Sequence, residues 1–245
     1  MKNIIIIPAR LKSKRLPRKL LLKLGNEEIL IRTYNQCLKV FPSSKIIIAT
    51  DSPEIKKLCI KKKIKYLMTS KKCKTGTDRI LEVSKKLNYD NYINVQGDEP
   101  FFEPKNIKKL VNQIKKNPNV VLNGYAKITK KEEYFNNSIP KVVFDENKNL
   151  LFMSRSPIPG NKNNKFNLAY KQICIYNFPK KLINKFNSKN KTQFEAQEDI
   201  EILRFIEKGI KVKMIEMKVN SFAIDTPSDY LRAKKKIKSK YNKNK

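Results

Sequence analysis

Four consecutive isoleucines at positions 4–7, flanked by Asn3 and stopped by Pro8, constrain this chain more than any other feature. An apolar run of strand length without alternation leaves no face for water, so it fits a strand covered on both sides. Helices layered over a parallel sheet supply that cover. A second such run at 45–49 ends in Thr50-Asp51-Ser52-Pro53. Between the two, residues 28–41 carry Ile29, Leu30, Tyr34, Cys37 and Leu38 at helical spacing, and 53–63 opens behind Ser52, a good helix cap. The alternation continues with a short strand at 65–68, a helix at 77–87, a strand at 92–95 and a helix at 104–116. Strand and helix in turn predict an α/β fold: a Rossmann-like, mostly parallel open sheet with helices on both faces.

From about 120 to 176 the pattern shifts to short strand-like pieces at 120–128, 142–145, 150–152 and 172–176, separated by Asn- and Lys-rich turns. Residues 159–168 are the expected mobile loop. Residues 194–208 read as one helix with Gly209 at its C′ position. Strands at 212–217 and 223–225 and a closing helix at 227–238 follow. The stretch 233–245 contains Lys-Lys-Lys-Ile-Lys-Ser-Lys and reads as a solvated helix end that frays. With no repeat and no linker, 1–245 is expected to be one domain, with a β-rich section at about 120–176 and a basic tail at 234–245.

The chain contains no histidine, which excludes Ser-His-Asp and Cys-His nucleophiles and the usual zinc sites. Any catalysis must use carboxylates, Lys, Arg or a metal. Cys37, Cys59, Cys73 and Cys174 form no CxxC pair, so reduced thiols are expected. No apolar run approaches the ~18 residues of a membrane span, and the start lacks a signal-peptide pattern, so a cytoplasmic protein is expected. The net charge of +33 points toward a polyanion such as nucleic acid. Yet eight basic residues are Arg and 47 are Lys, spread along the chain, whereas base readout and bidentate phosphate recognition favour Arg. The excess is instead the bias of an AT-rich coding sequence, and no nucleic-acid partner is expected.

The first loop places Arg10, Lys12, Lys14, Arg15, Arg18 and Lys19 just after a buried strand. Ligands of open α/β sheets bind at the carboxyl ends of strands, so the loop is well placed for a phosphorylated substrate. There is no GxxxxGK[ST], so side chains and a metal would have to hold the phosphates. On charge alone, a solvated basic loop fits as well. Asn94-Val95-Gln96-Gly97-Asp98-Glu99-Pro100 sets an acid at the end of an apolar strand, where Asp98 offers hard oxygens suited to Mg2+. Asp225, in Ala223-Ile224-Asp225-Thr226-Pro227, is a second candidate ligand for one metal site. Turn formation or helix capping would account for either acid alone.

Together these strings closely resemble the 3-deoxy-manno-octulosonate (Kdo) cytidylyltransferase, or CMP-Kdo synthetase, family of lipopolysaccharide biosynthesis. The matching pieces are PAR followed by SKRLPRK, TGTDR, NVQGDEP, SRSPIP and IDTPSD, in order over nearly the whole chain. NVQGDEP is the most specific, whereas the PAR loop is shared with cytidylyltransferases for sialic-type acids. The resemblance implies a homodimeric transferase with its dimer contacts in the β-rich section. In it, the anomeric hydroxyl of an ulosonic acid attacks the α-phosphate of CTP and pyrophosphate leaves. It further implies that Arg10 and Lys19, with Ser13 and Arg15, bind the triphosphate. Thr75, Gly76, Thr77, Arg79 and Gln96 would border the nucleotide, and Asp98 and Asp225 would hold Mg2+; Arg10, Lys19 and Asp98 would carry catalysis.

On the sugar side, Glu195, Glu198, Glu201 and Arg204 recur every three residues on the expected helix, matching the family's E-x-x-E-x-x-E-x-x-R. A solvated face with Glu–Arg support would look similar. The resemblance favours sugar binding by Glu198 and Glu201, with Lys141 and Arg155 for the sugar carboxylate and Gln172 and Tyr176 in the pocket. The chain departs from the family pattern at Arg18, where glycine is usual, and at Gln172 and Cys174, where H-x-G-I-Y is usual. Gln172 can hydrogen-bond but cannot titrate. These departures bear on the sugar, so an amino-Kdo or a sialic- or legionaminic-type acid is the alternative substrate. A basic nucleic-acid-binding protein and an inactive relative are the alternatives from other classes.

Overall fold

The computed structural model describes residues 1–186, 190–219 and 222–243. The chain begins with β1 (Asn3–Ala9), a basic loop, a 3-10 turn at Lys19–Leu21 and a two-strand hairpin of β2 (Lys23–Leu24) and β3 (Glu27–Glu28). Alternation then sets in: α1 (Ile29–Leu38), β4 (Ile46–Thr50), α2 (Pro53–Lys61), β5 (Tyr66–Met68), α3 (Gly76–Lys86), β6 (Asn91–Val95) and α4 (Pro104–Lys116). The second half runs β7 (Val121–Lys127), α5 (Lys131–Phe135), β8 (Lys141–Phe144), β9 (Leu150–Ser154) and β10 (Tyr170–Pro179). It closes with α6 (Lys180–Ile183), α7 (Gln193–Glu198), α8 (Leu203–Glu207), β11 (Val212–Glu216) and α9 (Pro227–Lys243).

The main sheet has the order β11-β7-β10-β6-β1-β4-β5. β1 pairs parallel with β4 and β6, β4 with β5, and β7 with β11, while β10 runs antiparallel between β6 and β7. The isoleucine run works as its lack of alternation requires. Ile5 and Ile7 enter the core under α1, α2, α4 and α9, whereas Ile4 and Ile6 enter the opposite core under α3, α6 and α8. All four are fully buried, each worth about 1.5–3 kcal/mol of transfer free energy. Local chemistry sets the helix starts: Ser52 accepts from the Ile55 amide, Thr75 and Asp78 form a capping box, and Pro104 opens α4 behind Glu103.

Three sequence expectations need correction. The helix expected over 194–208 is two helices, because Asp199 adopts a left-handed conformation (φ 50°) between α7 and α8. Residues 223–225 form no strand: Ile224 donates one backbone hydrogen bond to the Asp98 carbonyl, and Asp229 then caps the start of α9. The closing helix runs on to Lys243, and Ala233 and Ile237 are buried in the core, so the basic stretch is anchored well past 233. The β-rich section at about 120–176 supplies β7 and β10 to the main sheet, and β8 and β9 extend from it. No helix among the described residues is long and apolar enough to cross a membrane. The four cysteines are free.

Candidate active site

The carboxyl ends of β1 and β6 meet closely because residue 97 is glycine: a Cβ there would lie 3.1 Å from the Pro8 carbonyl oxygen and 3.3 Å from Leu30 Cδ1. This approach sets Asp98 beside the basic loop. A cleft of about 840 Å³ opens there, and Arg10, Ser13, Arg15, Lys19, Gly76, Arg79, Gln96, Asp98, Arg155, Glu201 and Asp225 line it together. Residues 9–19, 76–79, 96–98, 155, 201 and 225 are far apart in sequence and converge only through the sheet.

Lys19 is the hub of this cleft. Its ammonium contacts the carboxylates of both Asp98 and Asp225, lying 2.7 Å from Asp225 Oδ1, and Arg15 reaches Asp225 Oδ2 at 3.1 Å. Burial alone would lower the Lys19 pKa, but the two carboxylates outweigh it and hold it above its ordinary value. Burial likewise would raise the Asp225 carboxyl, and Lys19 and Arg15 outweigh it, holding it below. Arg10 bridges to the Lys74 carbonyl at 3.2 Å, tying the first loop to the start of α3. Arg18 points elsewhere, to Glu54, and takes a left-handed conformation (φ 57°) immediately before the Lys19 turn.

Glu201 bonds the amides of Gly76 (3.1 Å) and Thr77 (2.8 Å) at the first turn of α3, where the free N–H groups and helix dipole favour an anion. Thr75 caps that helix rather than lining the cleft. Arg79 is buried, paired with Asp51 at 2.9 Å and Thr69 at 2.5 Å, so it braces the cleft floor. Glu198 accepts from Ser154 Oγ (2.7 Å) and the Arg155 amide (2.8 Å). Arg155 in turn donates to the carbonyls of Glu198, Asn137 and Asp199. The four residues spaced by three therefore share no face: Glu195 and Arg204 form a buried pair at 2.5 Å, while Glu198 and Glu201 point to different partners.

Of the residues expected on the sugar side, Arg155 and Glu201 line the cleft, whereas Lys141, Gln172, Tyr176 and Glu198 lie behind it. Lys141 is fully buried, its ammonium held by the carbonyls of Asn136 and Arg155, and burial first, with Arg155 nearby, lowers its pKa to about 8. It supports Arg155 from beneath. Gln172 donates to Asn123 at 3.0 Å, and Asn123 bridges the Ile173 and Ile175 carbonyls where β10 bulges against β7. Tyr176 follows the bulge, and burial, then Cys174 and Glu201, push its hydroxyl well above its ordinary pKa. Asp199 lines the cleft and is absent from the sequence-based set. Its one signal is that Asp tolerates the left-handed conformation, which helical periodicity concealed.

Residues 4–215 match the family described as cytidylyltransferase. A 3-deoxy-manno-octulosonate cytidylyltransferase of Thermodesulfovibrio yellowstonii is 37% identical over 96% of this chain and 98% of its own. One from Koribacter versatilis is 32% identical over 98% of this chain and 92% of its own. The chain belongs to the cytidylyltransferase family. Its structure superposes on that of CMP:2-keto-3-deoxy-manno-octonic acid synthetase complexed with CTP with a TM-score of 0.90 at 29% identity, covering 98% of this chain and 100% of that one. HddC from Yersinia pseudotuberculosis, at 17% identity and a TM-score of 0.70, shares the fold.

Proposed function

We propose that this cytidylyltransferase transfers CMP from CTP to the anomeric hydroxyl of Kdo, releasing pyrophosphate and forming CMP-Kdo. The observation that carries the reading is the convergence of Asp98 and Asp225 on one cation, the Lys19 ammonium, beside Arg10 and Arg15. Two carboxylates that already enclose a positive charge have the donor chemistry for Mg2+. Among the described residues no cluster of three or more potential metal ligands occurs. Such a pair leaves the remaining positions to phosphates and water, which is how Mg2+ is commonly held at nucleotides. When bound, Mg2+ neutralises phosphate charge and acidifies a coordinated hydroxyl.

The protein's own contribution is positioning and charge, as phosphoryl-type displacement requires. Arg10, Ser13, Arg15 and Lys19 bind the triphosphate and offset the charge that grows on the departing pyrophosphate. Gln96 and the α3 start border the nucleotide. On the sugar side, Arg155, held by Lys141 and Glu198, faces the acid's carboxylate, with Glu201 toward its hydroxyls. No histidine base is needed. The exposed Leu151 on β9 and Phe194, stacked edge-on against Phe152 at 5.4 Å, offer apolar surface for the homodimer.

The test is pyrophosphate release from CTP, Mg2+ and Kdo. Turnover that Asp98→Ala abolishes is the expected outcome. Release with an amino-Kdo or a sialic-type acid but not with Kdo would reassign the substrate to that acid. Silence with every acid would refute the reading.

A further inference from the structure

Lys19 sits where the reaction calls for a divalent cation. Its ammonium touches both Asp98 and Asp225, and Arg15 takes the second oxygen of Asp225 at 3.1 Å. The pairing is sheltered, with 14% of the Lys19 side chain and 18% of the Asp98 side chain exposed, so water screens it less than a surface pair. A divalent ion arriving at these carboxylates would meet a like charge already bound by them. Lysine suits such a place better than arginine, because it is a compact charge on a flexible stem that can change partners, whereas a guanidinium fork is tied to one geometry.

We infer that Lys19 is an internal counter-ion that exchanges with the divalent cation. Without nucleotide, its ammonium closes Asp98 and Asp225 to metal. When the triphosphate enters beside Arg10 and Arg15, its oxygens draw the ammonium away and the carboxylate pair is freed. Cation binding is thereby coupled to nucleotide binding, and the coupling is reciprocal by linkage. No bond is made or broken; one ion pair is traded for another. The inference rests on the assignment of Asp98 and Asp225 as the cation ligands.

The test uses Mn2+ alone as the probe, with free ion followed by electron paramagnetic resonance, on the full chain without nucleotide. Wild type is expected to bind weakly, Lys19→Met at least tenfold more tightly, and Lys19→Arg as weakly as wild type. Circular dichroism establishes that each variant is folded, and Lys19→Gln serves if the Met variant is not. Equal Mn2+ affinity in wild type and in the neutral variants overturns the counter-ion role. In the Lys19→Met/Asp98→Asn double variant the gain is expected to vanish. Persistence of the gain would mean that the ion binds elsewhere, overturning the assignment of Asp98 itself. If the neutral variants gain nothing while Asp98→Asn abolishes the additional Mn2+ bound with CTP, the proposed function stands and the exchange alone fails.

Discussion

Replacing Glu195 with alanine isolates an interaction that the structure makes unusually one-sided. Arg204 is 2% exposed, and Glu195 receives its guanidinium at 2.5 and 2.6 Å. The guanidinium also donates to the Phe186 carbonyl at 3.1 Å and stacks 3.7 Å over the Phe186 ring, while Asp78 lies at 3.5 Å. Without Glu195, a buried cation keeps only the more distant Asp78 as a counter-charge. Loss of one partner from a buried pair costs about 3–5 kcal/mol, because the remaining charge stays desolvated. For a chain of this length about 2–4 °C of melting temperature accompanies each kcal/mol, so a fall of roughly 6–20 °C is expected. Urea denaturation gives the free energy directly. Lys191→Ala, which breaks a pair whose Asp199 side chain is 74% exposed, is the control and should cost under about 1 kcal/mol. Glu195→Leu combined with Arg204→Met should cost less than the sum of the two single changes. A loss below about 1 kcal/mol for Glu195→Ala would refute the argument.

Arg18→Gly should raise stability by about 0.5 kcal/mol, since the left-handed conformation costs an L-residue about 1–2 kcal/mol and glycine's added chain entropy returns about 0.5–1. A decrease in the urea midpoint would count against strain at that turn. At Lys141 the folded pKa of about 8 lies below the ordinary 10.5, so the unfolded chain binds more protons between those values and stability rises with pH there. Wild type should therefore gain stability relative to Lys141→Met between pH 7 and pH 10, and parallel pH profiles would exclude that charge as the cause. Gly97→Ala must displace the Pro8 carbonyl 3.1 Å away or Leu30, and should cost about 1–3 kcal/mol and weaken CTP binding in a calorimetric titration. Unchanged CTP affinity would show that the approach of β6 to β1 does not set the site.

Most of the sheet was legible because its signals are local. Residues 4–7 are apolar without alternation, so they had to be covered on both faces, and caps such as Ser52 and Thr75 act within one turn of the residues that reveal them. That the basic loop and Asp98 would share one end of the sheet was legible for a related reason, since each follows closely on a strand. The placement of the acids at 195–201 was not. A spacing of three between Glu195, Glu198, Glu201 and Arg204 satisfies a helix equally well whether the side chains face water, each other or separate partners. Asp199 broke that helix through a conformation any Asp can adopt, and nothing nearby announced it.

The sequence by itself determined the layered α/β architecture, the histidine-free chemistry and the strand ends at which the charges would gather, because burial, periodicity and capping act over a few residues. The tertiary structure alone decided that β10 enters the sheet antiparallel, that Lys141 lies beneath Arg155 rather than in the cleft, and that Lys19 stands between Asp98 and Asp225. Those outcomes join residues as many as 206 positions apart. Their partners are chosen by packing and by the cost of leaving a buried charge unpaired, and neither is written in the residues on either side.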